Sequence, residues 1–226
     1  QDKLSISKSN RKPIIHFDSM PNLKGLELLN PLYNYIANKQ TLRIMYQSFN
    51  AKEANEYILY PYLLKEYRNR WFLFCSVKKD LVLYNFALDR MEQDFEYLEE
   101  IPYVDTPVDL EARFEEIVGV TLYEDKDVEC IYFAVSPASV NYVRSKMIHR
   151  TQMEAEGDEL QEYLEKYPQF SGWAVFSIEC RPNPELYSLL SSYGGNLVVL
   201  EPSVIRDEMV KRACSIAENY DLILGV

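Results

Sequence analysis

The sequence predicts an α+β chain with three parts: an N-terminal helix, a small β-barrel, and a second domain in the order β-α-β-β-α-β-α. Three observations carry that prediction. Apolar residues recur at spacings of three and four before residue 39. Short runs rich in β-branched and aromatic residues follow up to residue 89, and strand-like and helix-like patterns alternate from residue 128 onward.

Residues 1 to 20 are polar and irregular. In the segment MPNLKGLELLNPLYNYIANKQ, Leu26, Leu29, Leu32, Tyr33 and Ile36 share one helical face. Pro31 inside it predicts two short helices or a restart with proline in the first turn, because proline has no N–H to give a helix interior. The runs TLRIMYQSF, YILYPYLLKEY, RWFLFCSV and LVLYNFALD are strand-sized and separated by charged or amide-rich turns. A sheet this short hides its edges best by curling closed, which predicts a barrel of the Sm or SH3-like kind. Pro61 cannot donate to a ladder and so marks an edge or a strand start.

Residues 92–123 begin acidic, pass through Pro102 and Pro107, and place Leu110, Phe114 and Val118 at helical spacing, which reads as a linker carrying a helix. Beyond it, VECIYFAVSP reads as a strand, ASVNYVRSKMIH as a helix, QMEAE and GWAVFSIECRP as strands, and NPELYSLLSSYGG as a helix. NLVVLEP then reads as a strand and PSVIRDEMVKRACSIAENY as the last helix. Asn183 before Pro184, Gly194-Gly195 and Pro202-Ser203 punctuate the boundaries. The order predicts a ferredoxin-like sandwich with an extra helix.

No run of eighteen apolar residues appears, and the opening QDKLSISKSNRKP is polar, so neither a membrane span nor a signal peptide is expected. A chain that opens on Gln1 reads as a fragment of a longer one. Cys75, Cys130, Cys180 and Cys214 lie apart in apolar runs and read as buried free thiols, which suits a reducing cytoplasm and offers no structural zinc site. The net charge of −11 is unevenly spread. Residues 39–91 hold nine Lys/Arg against five Asp/Glu, a net of +4, and residues 92–226 hold ten against twenty-seven, a net of −17. An anionic ligand therefore belongs on the first block.

The seven glycines form no phosphate-binding loop, dinucleotide fingerprint or nucleophile elbow. His16 and His149 stand alone; His149, at the end of a helical pattern, reads as a partly exposed imidazole near the last carbonyls. The acidic runs EYLEE, EARFEE and EAEGDELQEYLEK read as solvated helix faces. No enzyme, metal site or cofactor is expected. One cluster carries another kind of chemistry: Tyr46, Gln47, Tyr60, Tyr62, Tyr67 and Tyr84 are interleaved with Lys65, Arg68, Arg70 and Arg90. Aromatic faces and guanidinium groups are the two parts of a nucleotide platform, and the same pattern also suits cross-strand core pairs with a solvated basic face.

The segment YILYPYLLKEYRNRWFLFCSVKKDLVLYNFALDRM resembles a WYL domain, with Trp71-Phe72-Leu73 in place of the namesake tripeptide. Tyr46-Gln47-Ser48 and Pro61-Tyr62 precede it and Leu88-Asp89-Arg90-Met91 follows. The downstream segment resembles the WCX extension that accompanies such domains. The resemblance implies four parts: residues 1–38 as linker and helix, 39–100 as an Sm-like WYL barrel, 101–124 as a linker with a helix, and 125–226 as a ferredoxin-like WCX domain. It implies the ligand-sensing module of a bacterial transcriptional regulator. Its effector would be a nucleic acid, single-stranded DNA included, or a nucleotide-like molecule. Promoter DNA would be bound by an N-terminal helix-turn-helix domain outside this chain, and the protein would be a homodimer. The alternative is a protein–protein interaction or dimerisation module with no small ligand. Position by position, the resemblance assigns ligand contact to Tyr46, Ser48, Tyr62, Arg70 and Arg90, with Gln47 and Lys65 as neighbours, and packing to Trp71 and Leu73. Tyr84 and Ala87 stand where many members carry arginine, so positive charge is thinner here.

Overall fold

A computed structural model describes residues 24–224, so the readings made for residues 1–23, His16 among them, lie outside the described residues. The chain divides into two compact units, one through Tyr103 and one from Val104.

The first unit opens on a 3-10 turn, Leu26–Leu28, that runs into α1 (Leu29–Ala37). Pro31 lies in the first turn of α1, where its N–H would have no intrahelical partner. The buried stripe is rotated from the expected one: Leu28 and Leu32 are in the core, whereas Leu26 and Tyr33 are exposed. A 3-10 turn repeats every three residues, so a stripe of period 3.6 does not continue through it.

Five antiparallel strands follow: β1 (Leu42–Tyr46), β2 (Asn55–Tyr67), β3 (Arg70–Val77), β4 (Leu83–Ala87) and β5 (Glu96–Tyr97), in the sheet order β4-β3-β2-β1-β5. The expected barrel is not closed. Among the described residues β4 and β5 form the two sheet edges, and β5 pairs only with Leu42 and Arg43 of β1. The chain leaves β4 through a 3-10 turn, Leu88–Arg90, and touches β1 again by a single bridge between Tyr46 and Met91. Pro61 is neither at an edge strand nor at a strand start. It lies inside β2, beyond the last residue paired with β1, at a bulge between Pro61 and Leu63. A bulge there relieves the ladder of the missing donor.

Leu42, Ile44 and Tyr46 of β1, Leu59 of β2, Leu73 and Cys75 of β3 and Phe86 of β4 face one side of the sheet and enclose a core with Leu28 and Leu32. Trp71 packs against that core, as expected of the motif's apolar members.

In the second unit α2 (Leu110–Glu115) is capped by Asp109, whose carboxylate accepts the Ala112 N–H at 3.1 Å. After it come β6 (Glu129–Val135), α3 (Val140–Ser145), β7 (Met153–Glu154), α4 (Gly157–Lys166), β8 (Ala174–Cys180), α5 (Pro184–Ser191), β9 (Leu197–Glu201) and α6 (Ser203–Leu224). The sheet order is β7-β8-β6-β9, antiparallel throughout, with β6 and β8 at its centre and helices in the connections. Helix α4 is an addition to the predicted element order; it forms from the acidic run that reads as a solvated helix face. Its few apolar residues, Leu160 and Tyr163, pack on a satellite cluster with Val175 and Leu200. The main core joins Ile131, Phe133, Phe176, Ile178, Leu186 and Ile205.

Asn183 fixes this unit locally. Its carboxamide accepts the Leu186 N–H at 2.8 Å at the start of α5 and donates to the Val118 and Thr121 carbonyls at 2.7 and 3.0 Å. Two expectations are corrected here. Only Cys75 and Cys180 are buried, with burial pushing the Cys180 thiol up to about 12, whereas Cys130 and Cys214 are exposed free thiols. Their neighbouring residues are apolar, but their own positions point outward. His149 is buried, not partly exposed, because its Nδ1 sits 2.8 Å from Thr151 Oγ1, a hydroxyl that also donates to the Glu179 carbonyl of β8.

Candidate functional site

The end of β1 and the 3-10 turn at Leu88–Arg90 are tied side by side. The Gln47 N–H donates to the Arg90 carbonyl at 3.1 Å, and the Glu92 N–H donates to the Met45 carbonyl at 3.0 Å. The intervening loop folds back on itself, with the Gln47 carboxamide donating to the Ala51 and Lys52 carbonyls at 3.2 and 3.3 Å. Between loop and turn lies an open pocket of about 400 Å³, lined by Gln47, Ser48, Phe49, Asp89, Arg90 and Glu92 among others.

Arg90 is its central cation. Its guanidinium carbon lies 4.3 Å from the Phe49 ring centroid and 5.3 Å from that of Tyr46. Tyr46 is itself buried edge-to-face on Phe86 at 4.6 Å. Burial pushes the Tyr46 phenol above its usual range, opposed by the Arg90 cation and by a hydrogen bond with the Ala87 backbone. Arg70 reaches Asp89, with Nη2 donating to Oδ2 at 2.6 Å, and lies 5.9 Å from Phe49. Phe49 is 77% exposed at the loop tip, and its ring lies against the guanidinium groups of Arg90 and Arg70. Two atoms of the site are buried without any hydrogen-bond partner, Asp89 Oδ1 and Arg90 Nε.

The structure thus brings Tyr46, Gln47, Ser48, Arg70 and Arg90 together and leaves Tyr62 and Lys65 elsewhere. Leu64 packs on the core and successive strand residues alternate, so Lys65 points to the opposite face of the sheet, where burial lowers its pKa. Tyr62 sets its ring 6.1 Å from Tyr103. Reading the alternation through Pro61 without the bulge would put Lys65 on the core face of Leu59; the bulge reverses it. Two members were missed. Asp89 was read as part of the motif but not as a contact, and Phe49 was passed over although an aromatic after Gln47-Ser48 in a polar turn was a visible signal. Tyr84 donates to Asp80 at 2.9 Å in a second cleft of about 660 Å³, where Lys78 and Lys79 are offset by Glu56 and Asp80.

Positive charge at the pocket is partly spent. Arg70 is matched by Asp89, and Glu92 joins the lining. Among the described residues no group of three or more His, Cys, Asp or Glu is disposed to hold a metal ion, and no helix is long and apolar enough to cross a membrane.

Family comparison places this geometry. The WYL domain model matches residues 27–94, which include the whole pocket, and the WCX domain model matches residues 131–217. The chain carries a WYL domain followed by a WCX domain. Among solved structures, the WYL–WCX chain is similar to proteasome accessory factor B/C (PafBC) of Arthrobacter aurescens. The identity is 16% over 86% of this chain and 28% of that one, with a TM-score of 0.36. It is also similar to a CRISPR Cas-related protein, at 15% identity over 85% of this chain and 51% of that one, with a TM-score of 0.48. The chain therefore spans about a quarter to a half of the length of these structures. No curated protein matches the chain.

Proposed function

We propose that the chain is the effector-sensing part of a cytoplasmic transcriptional regulator. Its WYL unit, residues 39–100, binds a nucleotide-like effector in the pocket around Arg90, and a ferredoxin-like WCX unit, residues 125–226, follows. The observation that supports this reading is the convergence of Arg90, Gln47, Ser48 and an exposed Phe49 on one open pocket in a WYL domain, with Arg70 held against its Asp89 and Tyr46 against its Arg90. A cation beside stacking-capable rings is what a nucleotide needs. Promoter DNA would be bound by a helix-turn-helix domain outside this chain.

A route from pocket to that domain is available. Gly25, at φ 88°, packs so closely on Leu88 that a Cβ there would lie 2.7 Å from the Leu88 carbonyl carbon, and Gln93 donates to Glu27 at 3.0 Å. The chain entering α1 thus rests on the 3-10 turn that presents Asp89 and Arg90. A ligand that shifts the turn shifts the entry of α1, and effector binding is coupled to whatever precedes it.

The test is an anisotropy titration of the chain with short labelled single-stranded DNA and RNA at two salt concentrations, with Arg70→Ala/Arg90→Ala beside it. Saturable binding that the variant loses supports the reading; no binding of any oligonucleotide or nucleotide contradicts it. A second reading, a dimerisation or interaction module, is favoured by one observation. Beyond Met209, α6 leaves Val210, Ile216, Tyr220 and Leu222 exposed beside an apolar groove of about 290 Å³ next to β9. It predicts dimers by sedimentation and no small ligand.

A further inference from the structure

The pocket contains a donor and an acceptor that the protein itself does not use. Arg90 Nε and Asp89 Oδ1 are both shielded from water, and neither has a hydrogen-bond partner. Groups left in that state are costly, and of the five such atoms among the described residues these two alone belong to residues that line this open pocket, where a ligand can meet them. Their partners in the chain are already assigned. The other Asp89 oxygen accepts from Arg70, and the face of the Arg90 guanidinium is taken by the Phe49 and Tyr46 rings.

We infer that Asp89 and Arg90 read the edge of a neutral nitrogen heterocycle, of the nucleobase or cyclic-amide class, rather than a phosphate. This rests on the effector-pocket reading above and narrows it. An N–H of the ring donates to Asp89 Oδ1 while an adjacent carbonyl or ring nitrogen accepts from Arg90 Nε. Phe49, exposed at the tip of its loop, supplies the stacking surface and must swing aside to admit the ring, because its present place is over the guanidinium.

Charge favours the same ligand. Asp89, Glu92 and Arg90 give the lining a net charge of −1, and Arg70, which borders it, is held by Asp89. A phosphate brought to Arg90 would have the Asp89 and Glu92 carboxylates beside it, whereas a neutral ring edge satisfies Asp89 Oδ1 and Arg90 Nε at once. A volume of about 400 Å³ accommodates one base with its sugar.

Calorimetric titration of the whole chain with the four ribonucleosides, their 5′-monophosphates and inorganic phosphate, each at two salt concentrations, tests this. The expected result is at least one nucleoside bound about as tightly as its monophosphate, with little salt dependence and no competition from inorganic phosphate. In Asp89→Asn the amide oxygen is drawn to Arg70 and the NH2 faces the ligand's own donor, so affinity for that nucleoside falls by about tenfold or more while the thermal midpoint is retained. Phe49→Ala weakens the same ligand without unfolding the chain. Binding that requires phosphate, weakens with salt and survives or improves in Asp89→Asn would overturn the inference while leaving the effector pocket standing. No binding by any nucleoside or nucleotide would remove both.

Discussion

In the compact unit from Val104 onward, which carries the WCX domain, the buried polar side chains end on partners within the same unit. Ser136 meets Asn196, His149 meets Thr151, Arg181 meets Glu116, and Asn183 holds three backbone groups. In the WYL unit Asp89 Oδ1 and Arg90 Nε end on nothing at the pocket, where an exposed phenylalanine lies over the Arg90 guanidinium, and Thr41 Oγ1 and Arg43 Nε lack hydrogen-bond partners away from it. The one buried polar side-chain atom without a partner in the WCX unit, among the described residues, is Glu185 Oε2, whose other oxygen accepts from Thr121. The contrast teaches where polar groups stabilise and where they wait. A satisfied network fixes a fold, and an unsatisfied one beside an open cavity is where the proposed ligand would bind.

Substitutions can break that contrast. The largest effect is expected at the core of the WYL unit, where Leu32→Ala removes a fully buried side chain that docks α1 on the sheet and costs about 2–5 kcal/mol in denaturant unfolding. Next comes Asn183→Ala in the WCX unit, which deletes a helix cap and leaves two carbonyls unmet, for about 2–4 kcal/mol by the same measurement. Phe49→Ala sharpens the comparison in the other direction. Its stability change is expected within about 0.5 kcal/mol, because the ring is exposed, yet effector affinity falls by about tenfold in a binding titration.

The smallest effect is a pH dependence in the WCX unit. Burial holds His149 below its ordinary pKa, so the folded state favours the neutral ring and the unfolded state takes up a proton first as pH falls. Stability from this group is fully present above the unfolded value of about 6.5 and is lost as pH drops from there through the folded pKa. Thermal midpoints measured across that window should fall toward acid in the parent chain and flatten in His149→Asn.

Much of this architecture was legible in the sequence because it rests on local pattern. Each predicted strand run yields a strand, and Asn183-Pro184 opens a helix where its cap chemistry says it should. Closure of the first sheet was not legible, since it depends on whether β4 meets β5 across a 3-10 turn, and two residues of β5 are too few to carry that ladder. The acidic run of α4 reads as a solvated helix face, but its place as an element packed on the sheet was not legible because its apolar face is short. At the site, Arg90, Arg70, Tyr46, Gln47 and Ser48 came from motif positions that stay near one another after folding. Lys65 was separated from them by a single bulge at Pro61–Leu63, which no periodicity shows. Phe49 and the free oxygen of Asp89 acquire meaning only from the Arg90 guanidinium they meet in space.

The most direct test of the claim that the WYL unit waits for a ligand and the WCX unit does not is amide chemical-shift mapping. The whole chain would be titrated with the four nucleoside 5′-monophosphates, one at a time. The account predicts saturable shifts confined to residues 47–54 and 88–92, with smaller ones at the start of α1, and a silent WCX core. Shifts that cluster in the WCX unit, or none at saturating nucleotide, would contradict it.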